Sequence, residues 1–465
     1  MHFSIPDTEE CKDSSGTSFT SYNLYINGVF HCQLRYRLLH QFHDQMKKEF
    51  GVLNLPQFPP KKLLSLTPIQ IEERRIMLER YIQLVSQDAQ ISNSESFNTF
   101  LLNAQQDTQK EPAEKVTLNI FLMNGHKISV NINSTDQTDD VLENVASDIQ
   151  IPDDFVYYFG LYLVKKERGG DNSIVRKLQE FESPFISLRS ANKEGEHRIV
   201  LRKSYWDAAY DEELLDNKIT MNLLYVQALN DIERQWILAT KDQLKHLATL
   251  QDRGSKREYI RFARTLRYYG YMQFLPCITD YPKPNSRVLI AAGSKELNFR
   301  IQVDDQIKEG SFSITRMRCW RITTTLPEEN ESKNSNGKPK LELSFEYLMS
   351  RDSLKWVTIT SDQAMLMSMS LQNMVDELLM KKQGRKFKKP QDRSKKSVSG
   401  LPIRGNNSSY STALNSTNGE GDEHGAINKA IESVKKISDK LSKPKASENG
   451  VTENSVFQGI GDDDL

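Results

Sequence analysis

The chain has 465 residues, 37% hydrophobic and 27% charged, and its 62 basic and 62 acidic side chains cancel to a formal net charge of zero. That length predicts about two to four domains, and the balanced charge excludes a bulk preference for nucleic acid or anionic surfaces, so partners must be read from local patches. No apolar run approaches the roughly 18 residues of a membrane span, the opening MHFSIPDTEE lacks the features of a leader, and Cys11, Cys32, Cys277 and Cys319 form no CxxC pair. The expectation is a cytosolic or peripheral protein, a monomer, with no metal or cofactor and no nucleic-acid partner.

From Ser21, the alternation in SYNLYINGVFHCQLRY around Asn27-Gly28 predicts a β-hairpin with a type I′ turn. Leu39, Phe42, Met46 and Phe50 then recur at helical spacing, and Gly51 closes that helix. Phe58-Pro59-Pro60 predicts an extended, polyproline-like path, and IEERRIMLERYIQLV a second helix. The polar stretch from Gln105 to Glu114 reads as a domain boundary, so the first unit spans 1–110.

In KVTLNIFLMNGHKISVNI, two alternating runs flank Asn124-Gly125 and predict a second hairpin. A helix follows, with Thr138 as its cap and Val141, Leu142, Val145, Ala146 and Ile149 as its buried face. With the strands FGLYLVKK and HRIVLRK, residues 115–202 resemble a ubiquitin-like unit. Residues 203–274 are mostly helical in pattern, and 275–385 turn to strands closed by one long helix, for which Thr360 and Gln363 predict a capping box. Strands plus a final helix suit a phosphotyrosine-binding or pleckstrin-like barrel, with EENESKNSNGKPK as a loop insertion. Residues 386–465 are rich in Lys, Ser, Gly and Asn and predict a disordered tail. The class is therefore α+β.

Arg35-Tyr36, Lys61-Lys62 and Arg74 form a constellation suited to phosphate. Arginine supplies a bidentate fork, lysine a compact charge, and a tyrosine ring can floor an inositol. Leu63, Leu64 and Leu66 beside the basic pair could form an apolar tip that dips into a bilayer.

Arg35-Tyr36, FPPKK, and Arg74 followed by Leu78 and Tyr81 resemble a Phox-homology domain. The resemblance implies that Arg35 holds a 3-phosphate, Tyr36 stacks on the inositol, Lys61 braces the 1-phosphate side and Arg74 meets the 4- and 5-hydroxyls. Leu34 stands where many members carry a basic residue, and Arg37 where Ser or Thr is usual. FPPKKLLSLTP, VLRKSYWDAAY, RMRCWRIT, FEYLMS and the terminal GIGDDDL extend the resemblance over almost the whole chain, to the FERM-containing sorting nexins.

That family implies a non-enzymatic adaptor on the cytoplasmic face of early endosomes, bound to phosphatidylinositol 3-phosphate. Its last lobe binds Asn-Pro-x-Tyr or Asn-x-x-Tyr motifs of receptor tails, such as those of lipoprotein receptors and integrins, by adding the peptide to a sheet edge. By resemblance Trp320 anchors the peptide, and Val375 and Leu379 form the opposite wall. The terminus Ile460, Gly461, Asp462, Asp463, Asp464 and Leu465 is identified in the same way as the motif for the retriever recycling complex.

Asn454-Ser455-Val456-Phe457 has the Asn-x-x-aromatic form of the cargo motif itself, and predicts that the tail occupies the chain's own groove. The basic run KKQGRKFKKPQDRSKK reads as a solvated edge. Gly-rich phosphate loops, GxSxG, HExxH and kinase signatures are missing from the sequence, which argues against an enzyme. The alternatives are a membrane–cytoskeleton linker or a signalling scaffold.

Overall fold

The computed structural model describes residues 1–13, 15–62, 64–167, 172–303, 306–325, 340–393 and 451–458. Residues up to Pro390 and those from Val451 form one compact unit; Gln391–Gly450 form a second, described only at 391–393. Among the described residues no helix is long and apolar enough to cross a membrane.

Strands β1 (Phe3–Ser4), β2 (Thr8–Lys12), β3 (Ser18–Ile26) and β4 (Val29–Arg35) make the first sheet, in which β3 pairs antiparallel with each of the others. The β3–β4 turn has positive φ at both Asn27 (51°) and Gly28 (76°), the type I′ geometry that matches strand twist. Helix α1 (Tyr36–Phe50) buries Leu39, Phe42 and Met46 and ends at Gly51, whose φ of 84° ordinary residues avoid. Helix α2 (Pro68–Gln87) opens on a full capping box between Thr67 and Gln70. Two further helices, α3 (Ala89–Ser92) and α4 (Glu95–Gln109), complete the domain.

In the second lobe β5 (Lys115–Phe121), β6 (Lys127–Asn133), α5 (Thr138–Asp148), β7 (Phe159–Lys166), β8 (Asn172–Lys177), α6 (Pro184–Ala191) and β9 (His197–Lys203) form a sheet of order β6-β5-β9-β7-β8, with β5 parallel to β9. A helical lobe follows: α7 (Asp211–Leu215), α8 (Lys218–Glu233), α9 (Lys241–Asp252) and α10 (Lys256–Ala263). It shares one apolar core with the second lobe.

The last lobe contains β10 (Met272–Gln273), β11 (Cys277–Thr279), β12 (Ser286–Gly293), β13 (Glu296–Val303), β14 (Gln306–Ser313), β15 (Met317–Thr325), β16 (Lys340–Ser350), β17 (Ser353–Thr360), α11 (Ala364–Lys382) and, from the far end of the chain, β18 (Val451–Glu453). Its sheet runs β14-β13-β12-β11-β17-β16-β15-β18. Helix α11 buries Met367, Leu371, Met374 and Val375 in the same core as Trp320.

Polar contacts join these parts. Gln105 on α4 accepts a hydrogen bond from the Ser183 amide (2.8 Å) and donates to the Ser187 hydroxyl (3.1 Å). Ser187 donates to Glu182 (2.6 Å), which also holds Arg176 through both carboxylate oxygens. Phe181 joins the core of the first domain, edge-on to His31. At the other end Glu377 on α11 accepts the amides of Trp206 and Asp207, both at 2.7 Å.

Several expectations are corrected. The polar stretch from Gln105 begins inside α4, because Gln105 is buried against another domain's hydrogen-bonding groups and does not face water. Thr138 is the first residue of α5 and caps nothing; its hydroxyl donates to the Glu182 carbonyl (2.8 Å). Thr360 and Gln363 form no capping box: Thr360 ends β17, and the Gln363 side chain donates to the Ile174 carbonyl (2.8 Å) and accepts from the Leu275 amide (2.7 Å). The basic run is exposed over most of its described length but is anchored at its centre. Phe387 packs on Tyr158 and Tyr210 (ring centroids 4.3 and 5.1 Å apart), Lys388 pairs with Asp139 and Glu180, and Lys389 with Asp154. Within the expected disordered tail, residues 386–389 and 451–458 are thus built onto the folded body. The EENESKNSNGKPK loop lies outside the described residues except for Lys340.

Glu182 is fully buried. Burial pushes its carboxyl up, but Arg176 and the bonds from Ser187 and Gln179 outweigh burial and hold it below its ordinary value. Its stabilising contribution is therefore complete above the unfolded carboxylate range and lost as pH falls through the lower folded value. Arg176→Ala would strand this carboxylate without its cation, at a cost of about 3–5 kcal/mol. The expected result is a lower denaturation midpoint and faster amide exchange in α4 and α6; unchanged exchange there would refute the role.

Candidate functional site

Two sites emerge, one on the first domain and one on the last. Arg35 closes β4 and Tyr36 opens α1, so a strand–helix junction presents both side chains at one corner. The opposite wall is the 56–60 segment, pinned by Phe58. That ring stacks on His43 (4.5 Å) and stands edge-on to Tyr81 (4.8 Å), and it sets Pro59 so that its carbonyl accepts from the Tyr36 hydroxyl (2.8 Å). Arg74 reaches back from α2 over the Tyr36 ring, 4.1 Å from its centroid. The structure thus brings Tyr36 and Arg74 together around the 58–60 turn, while the neighbouring Arg35 side chain lies against Asp13 and Phe19 and Lys61 is exposed. Leu64 is 85% exposed. Leu66 is half-buried, and Leu63 lies outside the described residues.

The pocket holds an acidic group of its own. Asp13 pairs with Arg35 at 3.3 Å, and Phe19 lies under the guanidinium. The Ser15 hydroxyl and the Thr17 amide, helped by Arg35, hold the Asp13 carboxyl down at about 2, so it is ionised throughout the physiological range. Sequence reasoning missed Asp13. Its signal was the Asp13-x-Ser15-Gly16-Thr17 turn, whose Asp13 side chain accepts the amides of Ser15 and Thr17 (both 3.0 Å).

The second site lies along β15. Without β18 this strand would be a sheet edge, with a row of unpaired backbone groups. Instead Cys319, Trp320 and Arg321 face Glu453, Thr452 and Val451 of β18 in antiparallel register. Beyond the strand, Asn454 is buried: its Nδ2 donates to the carbonyls of Ile314 (2.7 Å) and Met317 (2.6 Å), and its amide to Arg318 (3.0 Å). Its Oδ1 accepts from the Val456 amide (3.1 Å), and the Phe457 amide closes a turn onto the Asn454 carbonyl (3.1 Å). Trp320 and Val375 are each 1% exposed with this segment in place, and Leu379 packs half-buried on the same core. Asn454 and Phe457 are therefore at β15. Ile460 to Leu465 lie outside the described residues.

Comparison with known families matches four stretches. A PX domain model matches residues 22–104; the F1 lobe of the sorting nexin 17/27/31 FERM domain, 116–206; the F2 lobe of the sorting nexin 17/31 FERM domain, 207–267; and the Sorting Nexin 17 FERM C-terminal domain, 270–379. Among curated relatives, the chain is 48% identical to Sorting nexin-17 of Danio rerio and 47% to that of Homo sapiens, with the full length of both chains covered in each case. It is 36% identical to Sorting nexin-31 of Homo sapiens, over 82% of this chain and 86% of that one.

A phosphorylated headgroup seated on Arg35 would compete with Asp13 for the guanidinium. Asp13→Asn is expected to tighten binding to vesicles carrying a 3-phosphorylated inositol lipid by roughly threefold to tenfold, the loss of one charge-assisted contact in the free state. In an Arg35→Ala background the same change should do nothing. Flotation across a lipid titration reads both; equal affinity of wild type and Asp13→Asn would show that the carboxylate does not compete.

Proposed function

The chain belongs to the sorting nexin-17 family, a PX domain followed by FERM lobes F1, F2 and F3, and on that footing we propose that it is an endosomal cargo adaptor. The PX domain grips phosphatidylinositol 3-phosphate through Arg35, Tyr36, Lys61 and Arg74. The F3 lobe takes Asn-Pro-x-Tyr or Asn-x-x-Tyr segments of receptor tails as an added strand on β15, between Trp320 and the α11 wall of Val375 and Leu379. The terminus from Ile460 to Leu465 engages the retriever complex, so that held cargo recycles to the surface and escapes degradation.

The observation that carries this reading is the seating of Asn454 to Phe457 on β15. A peptide strand pairs its backbone with an edge and spends its asparagine on two carbonyls there, and this is the chemistry an Asn-x-x-aromatic receptor tail brings. The seating of Arg74 over the Tyr36 ring, next in the chain to Arg35, supports the lipid half.

The same seating supports a second element. The tail segment is a resident ligand, and an incoming receptor tail displaces it and frees the terminus for its partner. Tethering raises the local concentration of the resident, so weak contacts suffice. Phe457→Ala should then increase capture of the retriever complex by the full-length chain in the absence of cargo peptide, and cargo peptide should add little further. Equal capture by wild type and variant would refute self-occupancy. For the lipid half, Arg35→Ala is expected to lower flotation with phosphatidylinositol 3-phosphate vesicles by about tenfold, the worth of one charged hydrogen bond. Undiminished flotation would remove Arg35 from the pocket.

A further inference from the structure

The eight described residues of the tail segment differ in depth in an order the Asn-x-x-aromatic pattern does not foretell. Glu453, Ser455 and Gln458 are exposed, and Val451, Thr452 and Phe457 are half-buried. Asn454 is 7% exposed and Val456 only 2%. The aromatic residue is thus not the deepest side chain. Val456 is, and it belongs to the F3 core together with Ile314, Met317, Trp320 and Val375.

The backbone explains this depth. The Asn454 side chain bonds the Val456 amide (3.1 Å) and two carbonyls of the β15 approach, while the Gln458 amide is held by the Thr315 carbonyl (2.6 Å). Fixed before and after, the turn has one residue, Ser455, at its outer corner and the next directed inward. A β-branched side chain suits such a position because its χ1 is already restricted and little rotamer freedom is lost on seating.

We propose that the β15 groove has a separate subsite for the residue immediately before the aromatic, and that this subsite takes a small β-branched aliphatic side chain. The inference rests on the reading of the groove as a peptide site and names the class of peptide it prefers: asparagine, any residue, valine or isoleucine, then an aromatic. Alanine there leaves a void that its surroundings fill only in part. Lysine or aspartate would need to bury a charge for which the surrounding apolar cluster offers no partner. Position 455, facing water, tolerates either.

The test uses the full-length chain carrying Asn454→Ala, which disengages its own tail, and a fluorescent peptide of residues 447–460 titrated by anisotropy. The native peptide and its Val456→Ile form should bind alike. Val456→Ala should weaken binding severalfold and Val456→Lys by more than roughly tenfold, whereas Ser455→Lys leaves it unchanged. In the intact chain Val456→Lys should raise amide exchange along β15 as much as Asn454→Ala does. Native binding with Val456→Lys no weaker than Ser455→Lys overturns the subsite and leaves the groove standing. No binding by the native peptide, with β15 exchange equal in wild type and Asn454→Ala, would remove the groove and the subsite together.

Discussion

A sheet edge cannot be left bare without consequence, and β15 is the edge on which this molecule turns. One side of β15 pairs with β16, and on the other a strand from more than a hundred residues away covers Cys319 to Arg321. The pairing itself reads no sequence, since any extended chain offers the same groups. On the peptide-groove reading, selectivity comes from the end of the strand, where Asn454 meets the Ile314 and Met317 carbonyls and Val456 drops into the core. The non-ladder geometry of the 314–317 turn, which presents the Ile314 and Met317 carbonyls to Asn454 while the Met317 amide also bonds Ile314, is what separates this edge from a generic aggregation site.

The rest of the unit holds that edge and the Arg35–Tyr36 corner in one frame. Gln105 ties the PX domain to F1 through Ser183 and Ser187, Glu182 and Arg176 complete that network, and Glu377 and Phe387 bind the far end of α11 back to F1 and its neighbours. Most of these bonds join groups that neither lobe could satisfy alone. Lobes linked in this way resist independent rotation more than a purely apolar contact of the same area would, because each buried polar atom loses a specific partner when the lobes slip.

Local periodicity made much of the fold legible. The Asn27-Gly28 hairpin, α1 and the buried stripe of α11 follow from spacing and turn chemistry, and the residues that set them lie within a few positions of each other. What was misread shares one cause, a distant partner. Thr138 and Thr360 look like caps in sequence, yet their hydroxyls go to Glu182 and Glu342. Gln105 looks like a linker and is buried. Phe387, one ring in a run of lysines, was outvoted by composition. At the sites, Arg35, Tyr36, Arg74 and the Asn454–Phe457 pattern could be picked out as residue types, and Asp13 only as part of a turn; its pairing with Arg35 and the depth of Val456 lie in what folding brings against them.

Asp13 alters the thermodynamics of its corner. Arg35 never waits as a bare cation in water; it is already neutralised by a carboxylate held ionised by its own turn. If this corner takes the headgroup as proposed, capture exchanges one partner for another. On that reading the contribution of Arg35 to affinity is a difference between two charge-assisted contacts, and fewer counterions are released on binding because one of the three cations starts paired. Such a site responds to ionic strength less steeply than its arginines alone would imply. On the proposed reading it favours a ligand that offers several oxygens at once over one that offers a single carboxylate, because only the former replaces Asp13 and adds further contacts.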